Sequence, residues 1–339
     1  MSNLHVSRKT RLSTIALIVM VPVLILLIAA PWWAGRADMR LMGEIMLYMS
    51  LATLWNLLAG YAGLVSVGQQ AYVGLGGYLF FALTMFAGID PYAALPLAMI
   101  IGGLVAAPVA VLIFRLRGAY FAIGTWVMAE VFRLTFAQIT SLGGGSGASL
   151  SASIVRGMAD GRSGREAAAY WLALGAVVLV IGSVVFFLRS RQGAALTAIR
   201  DNELAARSLG IDIWRTKFVV YVVTGALTTL IGCLIFLQKL RISPDAAFSV
   251  NDWTAFVIFI VVIGGIGTIE GPIIGTLVFF ALRETLADFG TIYLIALGLV
   301  AIVIMLKAPR GLWGFFRDRW HLEIFPLSRR VVGLTKKGS

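Results

Sequence analysis

Residues 189–217 read RSRQGAALTAIRDNELAARSLGIDIWRTK, and this polar stretch lies between two apolar runs that are each long enough to cross a bilayer. The stretch must therefore be a loop held at one membrane face. Six of its residues are basic and three are acidic. Short loops rich in arginine and lysine stay on the cytoplasmic side of a membrane, so the composition predicts a cytoplasmic loop between two transmembrane helices.

The interior of this central loop has the pattern of helices rather than of a linker. Asp201 is a favourable N-cap, and Gly210 is suited to end a helix. Glu203 and Arg207 have the stabilising i to i+4 spacing. One continuous apolar stripe from Ala195 through Ile199 and Ala206 to Leu209 would also carry a polar asparagine, which predicts two short helices with a turn near Asp201. From these residues alone, docking of a cytoplasmic partner and a helix resting in the lipid headgroups are equally good interpretations.

The chain as a whole is too hydrophobic for a soluble domain. Of its 339 residues, 60% are hydrophobic and 13% are charged, and the mean hydropathy is +0.92. The formal net charge of +12 would favour nucleic acid as the partner of a soluble protein. Here the basic residues lie mainly at the ends of apolar runs, where they set topology, so a polytopic membrane protein is predicted and a nucleic-acid role is excluded.

Few residues are placed to support catalysis or metal binding. Cys233 is the single cysteine and lies in an apolar run, and the two histidines, His5 and His321, lie outside the apolar runs. Glu130 and Arg133 stand three residues apart on one predicted helix and are interpreted as a structural ion pair rather than a proton relay. We therefore expect no catalytic residue and no metal site, and a protein that is not an enzyme.

The apolar runs predict an all-α polytopic membrane protein with about ten transmembrane or partly interrupted helices. The runs are residues 15–33, 41–58, 60–87, 92–114, 119–137, 169–188, 218–237, 253–266, 272–287 and 291–306. The first ends in a Trp pair suited to the far interface, which favours an uncleaved helix over a signal peptide. Most of the 28 basic residues fall on one side of this arrangement when both termini are placed in the cytoplasm.

The loops and the tail complete the predicted organisation as one transmembrane domain, residues 1–339. The longest external loop, residues 138–168, is polar and contains a glycine-rich stretch at 143–147. It could receive a soluble binding protein or be a flexible connector. The basic tail, residues 307–339, is predicted to lie in the cytoplasm against anionic lipid.

Two clusters of glycine lie within the apolar sequence, one at residues 60–77 and the other at residues 264–275. Glycine clusters at membrane depth indicate either close helix packing or a broken helix that lines a cavity. A pair of interrupted helices meeting near the midplane would suit a transport pathway, although tight packing alone is an equal alternative for each cluster.

Candidate residues for such a pathway come from both clusters and from nearby polar positions. They are Asn56, Ser66, Gly68, Gln69, Gln70, Tyr72, Thr125, Gly264, Gly265, Gly267 and Gly271. Ordinary hydrogen bonding in a protein core would explain each polar side chain nearly as well.

Nine residues of the central loop form a motif, namely Ala198, Ile199, Arg200, Asp201, Asn202, Glu203, Ala205, Ala206 and Gly210. The motif resembles the cytoplasmic coupling loop of ABC-importer permeases, in particular the LivM-type branched-chain amino acid permeases. The general importer motif has Glu directly before an alanine pair. Here Leu204 separates Glu203 from that pair, a departure that the LivM-type pattern shares.

Further segments resemble the same family, so the resemblance spans roughly residues 48–314. Residues 66–78 match a family stretch in which Gln69 stands where His is common, and residues 264–275 match its late glycine and proline signature. Residues 116–123 and 309–314 match other family segments, whereas the external glycines match only loosely. Each glycine motif alone is weak, but the combination is specific.

The resemblance implies a permease subunit of an ATP-driven ABC importer in the cell inner membrane, with a multi-pass fold. It implies two ATPase subunits, which hold ATP and Mg and receive the central loop in a groove. It also implies a second homologous permease subunit and an external solute-binding protein. The transported solute would be a branched-chain amino acid, with other amino acids, amides and urea as alternatives.

The strongest alternative is an ion-coupled secondary transporter, which would use intramembrane acids or unwound carbonyls. That interpretation leaves the pattern of the central loop unexplained. This chain contains no Gly-Lys-Ser/Thr phosphate-binding loop, so ATP hydrolysis is expected in separate subunits.

Overall fold

The structure is a computed structural model that describes residues 5–7, 11–159, 161–286, 292–308, 310–320 and 330–332. The described residues are almost entirely helical. The helices before the central loop are α1 Arg11–Ile28, α2 Ala30–Trp33, α3 Arg36–Asn56, α4 Gln69–Met85, α5 Pro91–Ile113, α6 Ala119–Ala137, α7 Ala152–Gly157 and α8 Gly161–Arg189.

The remaining helices begin in the central loop. They are α9 Arg191–Asp201, α10 Glu203–Ser208, α11 Ile213–Lys239, α12 Pro244–Ala247, α13 Phe256–Gly264, α14 Glu270–Leu286, α15 Ile292–Lys307 and α16 Gly311–Trp320. A π-helical turn, Leu57–Tyr61, extends α3, and another, Asn251–Ala255, precedes α13. Two 3₁₀ turns, Thr140–Leu142 and Gly144–Ser146, follow α6.

In the described part of the chain, four very short strands form two antiparallel pairs. Strand β1 His5–Ser7 pairs with β4 Arg330–Val332, so the first and the last described segments are neighbours. Strand β2 Ala148–Ser149 pairs with β3 Arg241–Ile242 at the far end of α11.

Each of the ten apolar runs contains a helix, so the predicted all-α membrane fold is confirmed at that level. Five described segments are long and apolar enough to cross a membrane, namely Arg36–Tyr61, Pro91–Ile113, Gly161–Arg189, Ile213–Lys239 and Pro244–Gly264. Helices α4 and α14 have 17 residues each and α15 has 16. The number of complete spans and the side of the membrane on which the termini lie stay predictions.

Local sequence signals explain where the long helices begin. Asp90 caps α5 by accepting a hydrogen bond from the backbone N–H of Tyr92 at 2.9 Å, and Pro91 occupies the first helical position. Asp212 caps α11 in the same way, accepting from the backbone N–H of Arg215 at 2.9 Å. Both caps satisfy N–H groups that have no partner within the helix.

Helix α11 is the centre of the packing and contacts α3, α4, α5 and α8. Small residues let these helices approach closely. A Cβ atom on Gly76 of α4 would lie 2.0 Å from the carbonyl oxygen of Thr229, and one on Gly232 of α11 would lie 2.2 Å from that of Val73. Part of the first glycine cluster therefore allows close helix packing. This is one of the two predicted alternatives, the other being a broken helix that lines a cavity.

Polar contacts lie at two ends of the helix bundle. The end that contains α9 and α10, here called the loop end, also holds Gly60 and α16. At the opposite end, Arg283 Nη1 donates to Glu44 Oε1 at 2.7 Å, and Lys239 lies over the ring of Trp253. This segregation places the central loop and the β2–β3 pair at opposite ends of the molecule.

Candidate functional site

The central loop folds as two short helices, as predicted. Helix α9 ends at Asp201, the backbone of Asn202 is extended, and α10 begins at Glu203. The predicted cap, however, is wrong by one residue. Asn202 is the N-cap, because its Oδ1 accepts from the backbone N–H of Ala205 at 3.0 Å, whereas the Asp201 carboxylate accepts from Arg200.

The predicted stop at Gly210 is confirmed. Gly210 has a φ of +79°, its N–H donates to the carbonyl of Arg207 at 2.9 Å, and the N–H of Ile211 donates to that of Ala206 at 3.2 Å. These two bonds are the pattern of a Schellman motif. The expected Glu203–Arg207 pair is wrong, because Glu203 accepts instead from Lys217 at the start of α11.

The loop has one buried face and one exposed face. Leu196, Ile199 and Ala206 are buried against the rest of the chain. Leu204 and Leu209 flank the exposed side of α10, and they are 76% and 78% exposed. One continuous apolar stripe from Ala195 to Leu209 is therefore absent, in agreement with the prediction of two short helices, because Leu209 is exposed and the helix breaks at Asn202.

Arg200 connects the central loop to the first glycine cluster. Its Nη1 donates to the carbonyl oxygen of Gly60 at 2.8 Å, and Asp201 holds the same guanidinium through Nε at 2.9 Å and Nη2 at 2.8 Å. The guanidinium also lies near Gly267 of the second cluster, where a Cβ atom would come within 3.5 Å of Nη1. One arginine of the loop thus contacts both clusters.

Asn56 ties the two clusters to each other. Its Nδ2 donates to the carbonyl oxygen of Thr268 at 2.7 Å, and its Oδ1 accepts from the N–H of Gly267 at 2.8 Å. A Cβ atom on Gly60 would lie 2.6 Å from the nitrogen of Gly267, so only glycine permits this approach. We call Asn56, Gly60, Arg200, Gly267 and Thr268 the glycine junction.

The junction shows where along α3 the two clusters meet, and their depth relative to the membrane midplane stays a prediction. The two clusters do meet, but at the far end of α3 beside Arg200 rather than halfway along that helix. The second cluster is a tight turn between α13 and α14, in which Gly265 and Gly267 have φ values of +129° and +76°. A Cβ atom on Gly264 would lie 1.8 Å from the carbonyl oxygen of Gly271, which explains why these positions are glycine.

The first cluster also contains a helix interruption, the other of the two predicted alternatives. After the π-helical turn the chain reverses at Gly63, whose φ is +69°, and residues 62–68 run back beside α3. Trp55 Nε1 donates to the carbonyl of Ser66 at 2.8 Å. Gln69 Nε2 donates to that of Leu51 at 2.9 Å, so α4 begins beside the middle part of α3.

A small pocket with several polar side chains in its lining lies at this buried start of α4. Its volume of about 10 Å³ is enough for a single water. The lining residues are Trp55, Leu58, Ser66, Gly68, Gln69, Tyr72, Tyr221, Thr224, Gly225 and Thr228. Among the residues that the structure describes, Gln69 Oε1 and Thr224 Oγ1 are buried without a hydrogen-bond partner. Tyr72 and Tyr221 join their hydroxyl groups at 3.1 Å.

The pathway candidates from the sequence therefore divide into groups. Asn56, Gly264, Gly265, Gly267 and Gly271 belong to the glycine junction or the turn beside it. Ser66, Gly68, Gln69 and Tyr72 line the pocket. The last two join neighbouring helices: Gln70 accepts from Thr254, and Thr125 Oγ1 accepts from the N–H of Val67 at 3.0 Å.

Sequence reasoning missed the α11 side of the pocket. Tyr221, Thr224 and Thr228 recur at intervals of three and four residues on one face of an otherwise apolar helix. That polar stripe is the signal that could have identified them.

The predicted ion pair in α6 is confirmed and has a third member. Arg133 Nε donates to both carboxylate oxygens of Glu130 at 3.0 Å, and its Nη1 donates to Asp245 Oδ1 at 2.8 Å. Asp245 follows more than a hundred residues later in the chain, and nothing in the local pattern of α6 pointed to it.

Comparison with known proteins covers most of the chain. A family model described as "Branched-chain amino acid transport system / permease component" matches residues 39–308. The high-affinity branched-chain amino acid transport system permease protein LivM of Escherichia coli is 28% identical over 330 residues, covering 90% of this chain and 76% of that protein.

Two further relatives are more distant or match less of the chain. The probable branched-chain amino acid transport permease protein LivH of Methanocaldococcus jannaschii is 24% identical and covers 73% of this chain and 82% of its own length. The fructose import permease protein FruG of Bifidobacterium longum is 26% identical and covers 41% of this chain and 43% of its own length. No solved structure matches the chain significantly.

Proposed function

Because this chain belongs to the family of branched-chain amino acid transport system permease components, we propose that its central loop receives the motion of an ATPase and passes it to the glycine junction. The chain is a multi-pass permease subunit of an ABC importer, a transporter subunit and not an enzyme. The assignments below extend that membership to partners, solute and mechanism.

The proposed assembly contains two ATPase subunits with ATP and Mg, a second homologous permease subunit and an external solute-binding protein, in the cell inner membrane. In this assembly residues 1–339 form one transmembrane domain, both termini and the tail 307–339 are cytoplasmic, and residues 138–168 face outward. The charge distribution of the loops supports this orientation.

The observation that carries the docking proposal is the pair of exposed leucines on α10. Leu204 and Leu209 are more than three-quarters exposed on a loop that is otherwise anchored by buried residues and by Arg200. Burying two leucine side chains in a partner groove would contribute about 1.5–3 kcal/mol each. Such a pair on a short, anchored helix pair is suited to a groove of an ATPase subunit.

Transmission would pass through the glycine junction. A movement of α9 would act on Arg200, which is bonded to Gly60, and Gly60 lies against Gly267. Asn56 holds both the N–H of Gly267 and the carbonyl of Thr268, so the turn between α13 and α14 would move with the end of α3. Three membrane helices would thereby respond to one loop.

The pocket at the start of α4 is the proposed inner part of the solute pathway. It combines the N-terminal end of an interrupted helix with the polar groups of Gln69, Tyr72 and Thr224. Interrupted helices with polar groups at their ends are typical of solute and ion sites in transporters. Movement at the junction would shift α4 against α11 and open this pocket.

A branched-chain or other amino acid is the proposed solute. The match to the amino acid permease LivM covers 90% of this chain, whereas that to the fructose permease FruG covers 41%. Specificity would also depend on the external binding protein, whose ligand selectivity is the most direct measurement of the solute.

Uptake of radiolabelled leucine into vesicles tests the proposed function. We expect uptake by the complete assembly to vanish without ATP and to persist when ionophores collapse the ion gradients. The opposite result, uptake without ATP that disappears with the gradients, would establish an ion-coupled secondary transporter instead.

A further inference from the structure

Several membrane helices leave a long face uncovered, and these faces differ in chemistry. The exposed side chains of α1 and α15 are entirely apolar over their described interiors. They are Ile18, Val19, Met20, Val21, Pro22, Val23, Ile25, Leu26 and Ile28 in α1, and Ile295, Leu299, Ile302, Val303 and Leu306 in α15. Such faces are suited to lipid acyl chains.

Helix α6 has an exposed stripe of another kind, here called the α6 stripe. Tyr120, Ile123, Val127 and Leu134 follow one another at intervals of three, four and seven residues, and all four are exposed. Glu130 fills the gap between Val127 and Leu134 on the same face, and its side chain is 44% exposed. A charged residue therefore lies within an otherwise apolar exposed face.

The depth of Glu130 is incompatible with a lipid neighbour. It follows the first residue of α6, Ala119, by eleven positions, which corresponds to about 16 Å along a helix that rises 1.5 Å per residue. The hydrocarbon core of a bilayer is about 30 Å thick, so Glu130 would lie near its middle if α6 crosses the membrane from Ala119, as the ten-run arrangement predicts. Charged side chains at that depth face protein or a water-filled cavity.

The neighbours of Glu130 strengthen this conclusion. Arg133 binds Glu130 through Nε and Nη2 and reaches Asp245 through Nη1 at 2.8 Å. The Asp245 side chain is itself 83% exposed. The three groups carry a net charge of −1 and require a polar surrounding that continues from α6 to α12.

The position of the α6 stripe in the fold also argues against the other proposed partners, the external binding protein and the ATPase, as its neighbour. In the predicted ten-run arrangement the stripe runs along a membrane helix, too deep for a soluble binding protein, and the central loop that we assign to the ATPase lies at the loop end. A stripe of apolar residues at heptad-like spacing is suited to packing against another helix. The opposite side of α6 holds Thr125 against the start of the interrupted helix α4.

We infer that the α6 stripe is the surface on which the second permease subunit packs, and that Glu130, Arg133 and Asp245 line a water-filled passage between the two subunits. This inference rests on the proposed function, which supplies a second permease subunit. Helices α1 and α15 face lipid. The wall of the passage and the interrupted helix α4 then lie on two sides of the same helix, so movement of α4 would reach the passage through Thr125.

Site-directed photo-crosslinking in the complete assembly tests the inference. The native Cys233 is buried and donates its Sγ–H to the carbonyl of Gly76 at 3.1 Å, so a Cys233→Ala background removes competing thiol chemistry. In this background Val127→Cys samples the α6 stripe, and Leu299→Cys, similarly exposed on α15, is the matched control. Each is modified with a benzophenone maleimide and irradiated in vesicles.

We expect a crosslinked product with the second permease subunit from Val127→Cys and loss of that product at Leu299→Cys. Equal products at both positions, or a product from Leu299→Cys alone, would overturn the inference. Leu134→Cys and Val303→Cys form a second matched pair if the first variant does not assemble, and the same two outcomes decide.

ATP-dependent uptake by the same vesicles separates the two proposals. Intact uptake with no crosslink from the α6 stripe rejects the surface assignment and leaves the proposed function standing. Absence of ATP-dependent uptake in the parent assembly rejects the proposed function itself.

Discussion

Arg200 joins a surface loop to the interior of the helix bundle. Its guanidinium donates to the carbonyl of Gly60, while Asp201 holds the other edge of the same group. An arginine is well suited to this position because its planar fork can bind two acceptors in different directions at once. In the proposed mechanism this contact would pass a displacement of α9 to α3.

Replacement of Arg200 by alanine should uncouple the importer. The Gly60 carbonyl loses a charged donor, which should lower the unfolding free energy by about 1–3 kcal/mol. If the contact couples the loop to the helices, uptake should fall by about 5-fold or more, the range for a coupling of about 1–3 kcal/mol, while ATP hydrolysis continues. Uptake and ATPase activity in the same vesicles measure both effects.

Arg215→Ala is the matched control, since Arg215 is an exposed arginine of the same loop. It should change neither uptake nor hydrolysis. Equal effects of the two replacements would show that loop charge, and not the contact with Gly60, is responsible.

Gly264 is constrained by space rather than by charge. Its replacement by alanine would place a Cβ atom 1.8 Å from the carbonyl oxygen of Gly271. Overpacking of this kind destabilises by about 1–3 kcal/mol or more, so Gly264→Ala should lower the thermal unfolding midpoint of the purified protein. Gly298→Ala is the control because no atom lies within 4 Å of its added Cβ. An unchanged midpoint for Gly264→Ala would mean that the turn between α13 and α14 is not rigid.

Secondary structure elements show where local sequence signals were sufficient. The break between α9 and α10 and the stop at Gly210 follow from short-range backbone preferences, and both predictions are confirmed. The predicted N-cap residue was wrong because Asp201 and Asn202 are both good N-cap residues. The Asp201 carboxylate accepts a hydrogen bond from the guanidinium of Arg200 instead, and Asn202 caps α10. N-cap preferences do not show which of two suitable side chains is already bound by another residue.

Glu203 links two elements, α10 and α11, through its contact with Lys217. We expect Glu203→Arg to place two like charges at this contact, to displace α10, and to uncouple ATP hydrolysis from transport without preventing membrane insertion. The charge exchange Glu203→Arg with Lys217→Glu should restore uptake, because it re-forms the pair with reversed signs. Unchanged uptake and unchanged stimulation of the ATPase in the single variant would contradict the docking role of the loop.

The interrupted helix α4 was predictable only in part. The glycines at residues 60–77 indicated either a break or close packing, and the structure contains both: a reversal at Gly63 and close contact at Gly76. The side of α11 that completes the pocket, with Thr224 and Thr228, was missed because threonines in an apolar helix usually bond to their own backbone.

The whole molecule separates its functions along one axis. The central loop, the glycine junction and α16 lie at the loop end, whereas the Glu44–Arg283 pair, the Lys239–Trp253 contact and the β2–β3 pair lie at the other. The α6 stripe runs between them. This arrangement is suited to a protein that receives force at one end and solute at the other.

The predicted orientation places the loop end in the cytoplasm and the opposite end outside the cell. A membrane-impermeant thiol reagent should label Leu209→Cys only after the cells are permeabilised and should label Ala152→Cys in intact cells, both in the Cys233→Ala background. Both positions are exposed on this chain, and the cells express it without the ATPase subunits that would cover Leu209, so access depends only on the side of the membrane. Labelling of Leu209→Cys from outside would reverse the topology and remove the basis for ATPase docking.

Composition, charge and periodicity were enough to establish an all-α membrane protein, the position of each helix-forming run and the two-helix form of the central loop. These are properties of neighbouring residues, and hydrophobicity and backbone preference act along the chain. Which residues meet was decided by tertiary packing alone. Arg200 and Gly60 are 140 residues apart, and Asn56 and Thr268 are 212 apart. Such contacts depend on how helices stack around α11, which no local pattern encodes.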